Sequence, residues 1–194
     1  MKTNKTNAAR MLDQLHIPYA LLSYQPDEEN LSAVHVAGQL QLPADQLFKT
    51  LLFRGTPSGL FVCLVPGGAE VDLKLAAAAS GNKRAEMVPV KELLALTGYV
   101  RGGCSPVGMK RSYPTYMDEQ CFMYAEIYVS AGKKGIQFKI APRDLILATQ
   151  ARLCRLTKHP PVNRRPVPTP ADGRQDRQIP QVVPVSGFRN FRTP

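Results

Sequence analysis

The sequence predicts an α+β domain built on a mixed sheet. Two apolar runs, residues 47–53 and 60–65, flank the turn residues Gly55, Pro57 and Gly59, which is the signature of a β-hairpin. Elsewhere, short apolar runs alternate with stretches whose apolar residues recur at helical spacing. With 44% hydrophobic and 21% charged residues among 194, the composition is that of a globular chain and excludes fibrous and wholly disordered classes.

The elements before the hairpin are a helix, a strand and a second helix. The first helix is predicted from apolar residues at helical spacing, namely Ala8, Met11, Leu12 and Leu15. A short strand over 17–22 follows and is closed by a turn that ends at Pro26. Ser32 is a suitable N-cap for a second helix that runs to Leu40 and places Val34, Ala37 and Leu40 on one face.

The elements after the hairpin repeat this alternation. Asp72 can cap a helix over 73–79 that ends at Gly81, and another helix over 90–96 ends at Gly98. Strands over 125–130 and 136–140 are predicted across a glycine and lysine turn. Pro142 suits the first turn of a last helix, which we expect to end near Leu156.

The composition changes after Lys158. Residues 159–194 hold 8 of the 17 prolines and six arginines against two aspartates, with almost no periodic apolar pattern. Such a segment cannot bury enough apolar surface to offset its chain entropy. We therefore predict one domain over residues 1–158 and a disordered Pro/Arg-rich tail over 159–194. The tail carries +4 of the net charge of +10, so the domain is itself basic and nucleic acid is the first candidate partner.

No pattern predicts a membrane segment, a metal site or a cofactor. The first residues are polar and no long apolar segment follows them. The four cysteines include no C-x-x-C pair, which favours free thiols in a cytoplasmic protein. The three histidines are isolated and no G-x-S-x-G occurs, so a metallohydrolase or a serine esterase has little support. We expect no cofactor, no metal and no membrane partner.

Lys49 is a charged residue in a strand whose two faces are both apolar. Strand alternation places it beside Leu47 and Leu51, while Thr50 shares the other face with Phe48. Burying an ammonium group costs several kcal/mol, on the order of magnitude seen for buried ions, unless an anion or hydrogen bonds compensate. Lys49 either extends its ammonium to solvent at a strand end or points into a pocket that receives an anionic group.

The segment 98–108 holds four glycines and a proline. Glycines permit positive φ angles, and successive exposed N–H groups in such a loop can bind a carbonyl oxygen or a phosphate. The loop matches neither the Walker nor the dinucleotide pattern, and alone it also fits an ordinary turn. Cys104 within it could act as a nucleophile, but no neighbouring base is visible in the sequence.

Three motifs in the same order resemble the YbaK/EbsC family, the free-standing relatives of the editing domain inserted in bacterial prolyl-tRNA synthetase. They are Phe48-Lys49-Thr50-Leu51-Leu52, the glycine-rich segment 97–108, and Ile127-Tyr128-Val129-Ser130 with the following turn to Gly135. The resemblance covers roughly residues 5–156 and excludes the tail. It implies a mixed sheet curled into a partly open barrel with helices packed around it.

The resemblance also implies an activity and a set of site residues. The activity is trans-editing, the deacylation of misacylated Cys-tRNA(Pro) and of Cys-tRNA(Cys), with the thiol of the substrate attacking its own ester. Lys49, Gly102 and Gly103 would be catalytic. The residues that would contact the substrate are Tyr24, Thr50, Cys104, Ser105, Pro106 and Ser130. The partner is the aminoacyl-tRNA, and prolyl-tRNA synthetase is the protein partner that the family suggests.

Two departures from the family pattern leave the amino-acid specificity open. Gln137 stands where relatives often have an acid, and Ala131 replaces a glycine. A deacylase for another mischarged amino acid, such as alanine, is therefore one alternative. A binding module that holds tRNA or a synthetase without turnover is another, although retention of both Lys49 and the glycine loop favours an enzyme.

Overall fold

The computed structural model describes residues 5–158, which form five α-helices and eight β-strands. The helices are α1 Asn7–Gln14, α2 Ala33–Gln39, α3 Leu73–Ala79, α4 Val90–Thr97 and α5 Pro142–Thr149. The strands are β1 Ala20–Ser23, β2 Leu47–Thr56, β3 Gly59–Pro66, β4 Arg84–Met87, β5 Thr115–Asp118, β6 Ile127–Ser130, β7 Ile136–Ile140 and β8 Arg152–Cys154. Two short 3₁₀ helices are Ala44–Gln46 and Glu119–Met123. The predicted boundary at residue 158 and the 159–194 segment lie outside the described part.

All eight strands belong to one sheet, which is mixed, as predicted. Its order is β1-β7-β6-β2-β3-β5-β8, and β4 pairs with β2 beside this path. The pairs β2–β3, β6–β7, β1–β7 and β2–β4 are antiparallel, whereas β2–β6, β3–β5 and β5–β8 are parallel. The end strands β1 and β8 do not pair with each other in this order, so the sheet is open.

Helices cover both faces of the sheet, because side chains alternate along each strand. Phe48 of β2 packs with α1 and α5 residues in the largest apolar cluster, and Leu52 packs with α4 residues. On the other face, Leu47 packs with Val36 and Ala37 of α2, and Phe53 packs with Ala76 of α3. Strand β2 is therefore buried on both faces, as its continuous apolar sequence predicts.

The predicted caps are confirmed. The Ser32 hydroxyl accepts a hydrogen bond from the N–H of His35 at 3.2 Å, and the Asp72 carboxylate accepts from the N–H groups of Lys74 and Leu75 at 2.9 and 3.3 Å. Gly98 ends α4 with φ of 81°, the left-handed conformation that glycine adopts without strain.

Several predicted boundaries and faces are wrong. The last helix ends at Thr149, where Gln150 adopts φ of 53°, and the chain continues as β8 instead of remaining helical to Leu156. The first strand begins at Ala20, because the N–H of Ile17 is used to close α1 through the carbonyl of Leu12. Val34 is 55% exposed, so the buried face of α2 is formed by Val36 and Ala37.

Two of the four residues that predicted α1 do not belong to its buried face. Met11 and Leu15 are exposed, and Ala8, Ala9 and Leu12 pack into the core. Among the described helices, the longest have eight residues, and none is long and apolar enough to cross a membrane.

Candidate active site

The sheet forks along one edge of β2. Strand β6 pairs with this edge at Leu47 and Phe48, and β4 pairs with it from Phe53 onward. The Leu52 carbonyl faces the edge, since it accepts a hydrogen bond from the N–H of Val88 at 2.9 Å. Thr50, two residues earlier, directs its N–H and C=O to the same edge, where the register gives it no strand partner in the described structure. The fork therefore leaves backbone polar groups available beside Lys49.

Lys49 lies at this fork and keeps a half-buried ammonium group. The ammonium donates a hydrogen bond to the Gly67 carbonyl at 3.3 Å and forms no ion pair with any described residue. Burial lowers the pKa of Lys49 from its usual 10.5, and the carboxylate of Glu70 opposes part of this shift. A half-buried cation with one neutral acceptor has unused capacity to bind an anion.

Thr50 follows Lys49 but directs its side chain to the opposite face of the sheet. Its hydroxyl oxygen is buried and has no hydrogen-bond partner among the described residues. The structure thus brings the backbone of Thr50 to the fork and separates its hydroxyl from the ammonium of Lys49.

A row of polar residues crosses the sheet beside Lys49. The parallel pairing ends at Phe48 and Val129, so Lys49 and Ser130 come next on the two strands. Ser130 pairs with Gln137, and Gln137 pairs with Leu22 of β1. Alternation places this row on the face that α2 covers. Gln137 is only 4% exposed, and its side-chain oxygen has no hydrogen-bond partner in the described chain.

The glycine loop, defined here as residues 98–108, begins with a tight turn. The N–H of Gly103 donates to the Val100 carbonyl at 3.0 Å, and Gly102 within the turn has φ of 81°, which strains any other residue. The N–H groups of Gly102, Cys104 and Ser105 have no hydrogen-bond acceptor among residues 5–158. Of the two predicted glycines, Gly102 therefore offers a free donor, whereas the Gly103 donor is used inside the turn.

The loop is fixed in place by Tyr99. The Tyr99 hydroxyl donates to the carbonyl of Val107 at 2.7 Å, which closes the loop on itself. A Cβ added to Gly132, in the β6–β7 turn, would lie 2.9 Å from a ring carbon of Tyr99. Pro106 is buried within the loop, and Val107 packs in the cluster that contains Phe48.

The glycine loop and the β6–β7 turn are in direct backbone contact. A Cβ added to Gly103 would lie 3.0 Å from the nitrogen of Lys134 and 3.2 Å from the carbonyl carbon of Lys133. The same turn accepts a hydrogen bond from the N–H of Tyr24 through the Gly135 carbonyl at 2.9 Å. The ring of Tyr24 packs on the α2 face, the face of Lys49 and Ser130. Predicted residues from three distant segments thus converge at one end of the sheet.

Cys104 is a buried, protonated thiol. Burial raises the pKa of Cys104 to about 12, so almost none of it is thiolate at neutral pH. Ser105 is fully buried, and its hydroxyl accepts from the N–H of Val107 at 3.3 Å. Neither side chain is arranged as an activated nucleophile. Within the described residues, no group of three His, Cys, Asp or Glu side chains is placed to bind a metal ion.

Comparisons with known proteins identify the family of this chain. The model of the aminoacyl-tRNA editing domain family matches residues 27–147. The chain is 45% identical over 153 residues to the "Putative Cys-tRNA(Pro)/Cys-tRNA(Cys) deacylase EbsC" of Enterococcus faecalis, which covers 79% of this chain and 93% of that protein.

Solved structures show the same fold. A crystal structure described as "a putative trans-editing enzyme for prolyl tRNA synthetase" is 25% identical, has a TM-score of 0.68, and aligns over 81% of this chain and 100% of that one. The crystal structure of a hypothetical protein has a TM-score of 0.72 at 19% identity, covering 79% of this chain and all of the other.

Fold and site together define a domain of the tRNA-editing class, in which Lys49 forms no ion pair with any residue from 5 to 158. The chain belongs to the aminoacyl-tRNA editing domain family, and within it to the YbaK/EbsC type that the three sequence motifs predicted.

Proposed function

We propose that this chain deacylates misacylated tRNA in trans, with Cys-tRNA(Pro) and Cys-tRNA(Cys) as its substrates. The observation that carries the proposal is the half-buried ammonium of Lys49, which lacks an anionic partner within residues 5–158 and lies beside β6, whose following turn contacts the glycine loop. The 45% identity to EbsC supplies the substrate class. Charged tRNA is a substrate of the translation machinery, and the proposal accordingly assigns the chain to the cytoplasm.

The substrate's own thiol is the attacking group in this proposal. A free cysteine thiol is a few per cent ionised at neutral pH, which makes it by far the best nucleophile available. Its sulfur attacks the carbonyl carbon of the same aminoacyl group, the bond to the ribose oxygen breaks, and that oxygen takes up the proton lost by the thiol. The products are a cysteine thiolactone and a free tRNA 3′ end.

The protein's task is then to position the ester and stabilise its developing negative charge. The free N–H groups of Gly102, Cys104 and Ser105 can donate to the oxyanion, each worth roughly 3 kcal/mol in a preorganised site. Lys49 can bind an anionic part of the acceptor end, and folding the substrate into attack geometry supplies several kcal/mol, on the order of intramolecular reactions. Tyr24 and Ser130 lie where they can contact the aminoacyl group or the terminal adenosine.

Gln137 bears on the alternative specificity. A neutral amide occupies the position where the family often has an acid, and its unpaired oxygen can accept a hydrogen bond from a substrate ammonium group. An alanine ester carries the same ammonium group, and its cleavage would require water as the attacking group. Selectivity for cysteine in the proposed mechanism comes from thiol reactivity and not from Gln137.

Single-turnover cleavage of four esters tests the function. Purified protein in excess is mixed with Cys-, Ser-, Ala- and Pro-tRNA(Pro), and the remaining ester is measured over time. We expect the cysteine ester to be cleaved at least about 100-fold faster than the serine ester, because a hydroxyl is a much poorer nucleophile than a partly ionised thiol. Equal rates for the two esters would indicate an attacking water, and binding without cleavage of any ester would indicate a non-catalytic module.

A variant at Cys104 distinguishes attack by the substrate's thiol from attack by a thiol of the protein. Cys104→Ala removes a buried, protonated side chain and should reduce the cysteine-ester rate no more than a few-fold. Abolished cleavage in a folded Cys104→Ala variant would indicate a protein nucleophile.

The same assay with prolyl-tRNA synthetase added tests the proposed partner, since a ternary complex would raise the rate for tRNA(Pro) selectively.

A further inference from the structure

Two cations stand on either side of the contact between the glycine loop and the β6–β7 turn. Arg101 belongs to the tight turn of residues 100–103, and Lys133 belongs to the β6–β7 turn. Both residues are exposed, and neither forms an ion pair with a described residue. The neighbouring Lys134, by contrast, is engaged by the carboxylate of Glu28.

The two turns hold these cations in a fixed relation. The backbone of Lys133 and Lys134 lies against Gly103, where an added Cβ would be 3.0 to 3.2 Å from it. Gly132 is packed on the ring of Tyr99, and the Tyr99 hydroxyl is bonded to the Val107 carbonyl. Arg101 and Lys133 therefore project from one rigid base, and binding a ligand between them does not first require ordering two loops.

Most lysines and arginines that the structure describes form no ion pair, so Arg101 and Lys133 are distinguished by their position beside the glycine loop and not by the lack of a partner. A few others are engaged by carboxylates. Lys5 pairs with Asp13 at 2.6 Å, Arg54 with Glu92 at 2.8 Å and Lys139 with Glu126 at 2.6 Å. Around the glycine loop, Glu28 is already engaged by Lys134, and Asp27 lies 3.4 Å from His35. Beside the loop, Arg101 and Lys133 keep exposed charges that no described carboxylate engages, and exposed guanidinium and ammonium groups of this kind bind phosphate oxygens.

We propose that Arg101 and Lys133 bind the backbone phosphates of the single-stranded 3′ end of the tRNA, while the ester lies deeper, at Lys49 and the loop N–H groups. The proposal rests on the deacylase function. It assigns binding of the RNA strand to Arg101 and Lys133, called the rim from here on, and chemistry to the fork, so the two can be separated by a substrate that has no phosphate.

The test compares two double variants of equal charge change. Arg101→Ala with Lys133→Ala removes the rim, and Lys83→Ala with Arg84→Ala removes one exposed lysine and one exposed arginine at the other end of β2. Arg84 of β4 pairs with Thr56, which lies about 23 Å along the strand from Lys49 at 3.3 Å per residue. Each protein is assayed on Cys-tRNA(Pro) and on cysteinyl adenosine, which carries the same ester and no phosphate.

We expect the rim variant to lose about 10- to 100-fold in kcat/KM for Cys-tRNA(Pro), in line with two lost phosphate contacts. Its plot of log kcat/KM against log salt should become shallower by about 1.4, or 0.7 for each phosphate on a single strand. Cleavage of cysteinyl adenosine should stay within about two-fold of wild type, and the control variant should match wild type on both substrates. An equal loss on both substrates, or no loss on tRNA, would overturn the proposal.

A binding measurement keeps the inference separate from the deacylase function. Fluorescence anisotropy with an uncharged RNA oligonucleotide ending in CCA should show weaker binding and a shallower salt slope for the rim variant only. If wild type cleaves neither ester, the deacylase function is wrong. Oligonucleotide binding still tests whether Arg101 and Lys133 bind backbone phosphates. Unchanged oligonucleotide binding in the rim variant would refute the phosphate contacts even if all proteins are active.

Discussion

Lys49 combines an electrostatic cost to the free protein with the substrate-binding role that we propose for it. Its ammonium loses part of its hydration at the fork of β2 and receives in return one carbonyl hydrogen bond and a distant carboxylate. The opposite charge of a bound anion would compensate the rest of the desolvation cost of the ammonium group. An anion that binds Lys49 is therefore expected to be held more strongly than one that binds an exposed lysine.

At the scale of a single residue, the first prediction concerns the Lys49→Met variant. Activity on Cys-tRNA(Pro) should fall by about 100-fold or more, because the variant cannot bind an anion. Stability should be equal to that of wild type or higher, since a desolvated charge is replaced by a side chain of similar length that needs no hydration. The measurements are single-turnover cleavage and urea denaturation. A variant with wild-type activity, or one that is much less stable at every pH, would contradict the assigned role.

The pH dependence of stability gives an independent readout. The pKa of Lys49 is lowered in the folded protein, so between that value and 10.5 the unfolded chain binds more protons. The contribution of Lys49 to the free energy of unfolding therefore rises as the pH increases through this window. Wild type should gain stability relative to Lys49→Met over this range, and Lys74→Met, at an exposed lysine, should track wild type.

At the scale of elements, the site depends on the contact between the glycine loop and the β6–β7 turn. Gly103→Ala places a methyl group 3.0 Å from the Lys134 nitrogen, which is backbone and cannot swing away as a side chain would. The two turns must separate, and the free N–H donors of the loop move with them. We expect cleavage to fall by about tenfold or more, because misplacement on the order of 1 Å can cost 100-fold.

A matched glycine provides the control. Gly38 lies on the exposed side of α2, has no positive φ, and an added Cβ would meet nothing within 4 Å. Gly38→Ala should keep full activity and raise the free energy of unfolding by about 0.5 to 1 kcal/mol, the usual gain in a helix. Unchanged cleavage by Gly103→Ala would show that the contact does not position the loop.

Elements set by local chemistry could be predicted from the sequence, and elements set by distant pairing could not. The caps at Ser32 and Asp72 and the end at Gly98 depend only on neighbouring backbone groups. Strands β4, β5 and β8 have three or four residues each and are strands only because β2, β3 and β5 lie beside them. The apolar pattern after Thr149 is compatible with helix, and pairing with β5 makes it β8.

The same distinction holds for the site. Lys49 could be singled out because a charge in a doubly buried strand conflicts with its neighbours. The burial of Gln137 could not be predicted, because it depends on pairing with Leu22 and Ser130 from two other strands. The use of the Gly103 donor inside a turn also needs the backbone geometry, since a run of glycines fits many turns.

At the scale of the whole molecule, Asp118 fastens the last described segment to the sheet. This buried carboxylate accepts hydrogen bonds from the N–H of Leu156 at 2.9 Å and from the Thr157 hydroxyl at 3.2 Å. Leu156 itself is fully buried beside Phe53 and Ala76. The domain therefore needs its chain at least as far as Thr157.

Two truncations test this boundary. A chain that ends at Lys158 should keep the cleavage rate at saturating protein, because every predicted site residue precedes that point. A chain that ends at Cys154 should lose roughly 3 to 5 kcal/mol of stability, since a buried leucine is removed and the Asp118 carboxylate loses two donors. Urea denaturation and single-turnover cleavage are the measurements. A slower chemical step in the chain that ends at Lys158 would show that residues 159–194 take part in that step.

The fork in β2 has a consequence for amide deuterium exchange. The N–H groups of Lys49 and Leu51 face β3 and should exchange slowly, whereas the Thr50 N–H faces the gap between β6 and β4. One amide in the middle of a buried strand is thus expected to exchange faster than the two on either side. A non-cleavable cysteinyl adenosine amide that fills the gap should slow exchange at this one position. The exchange rate of the Thr50 N–H would then report whether the site is occupied.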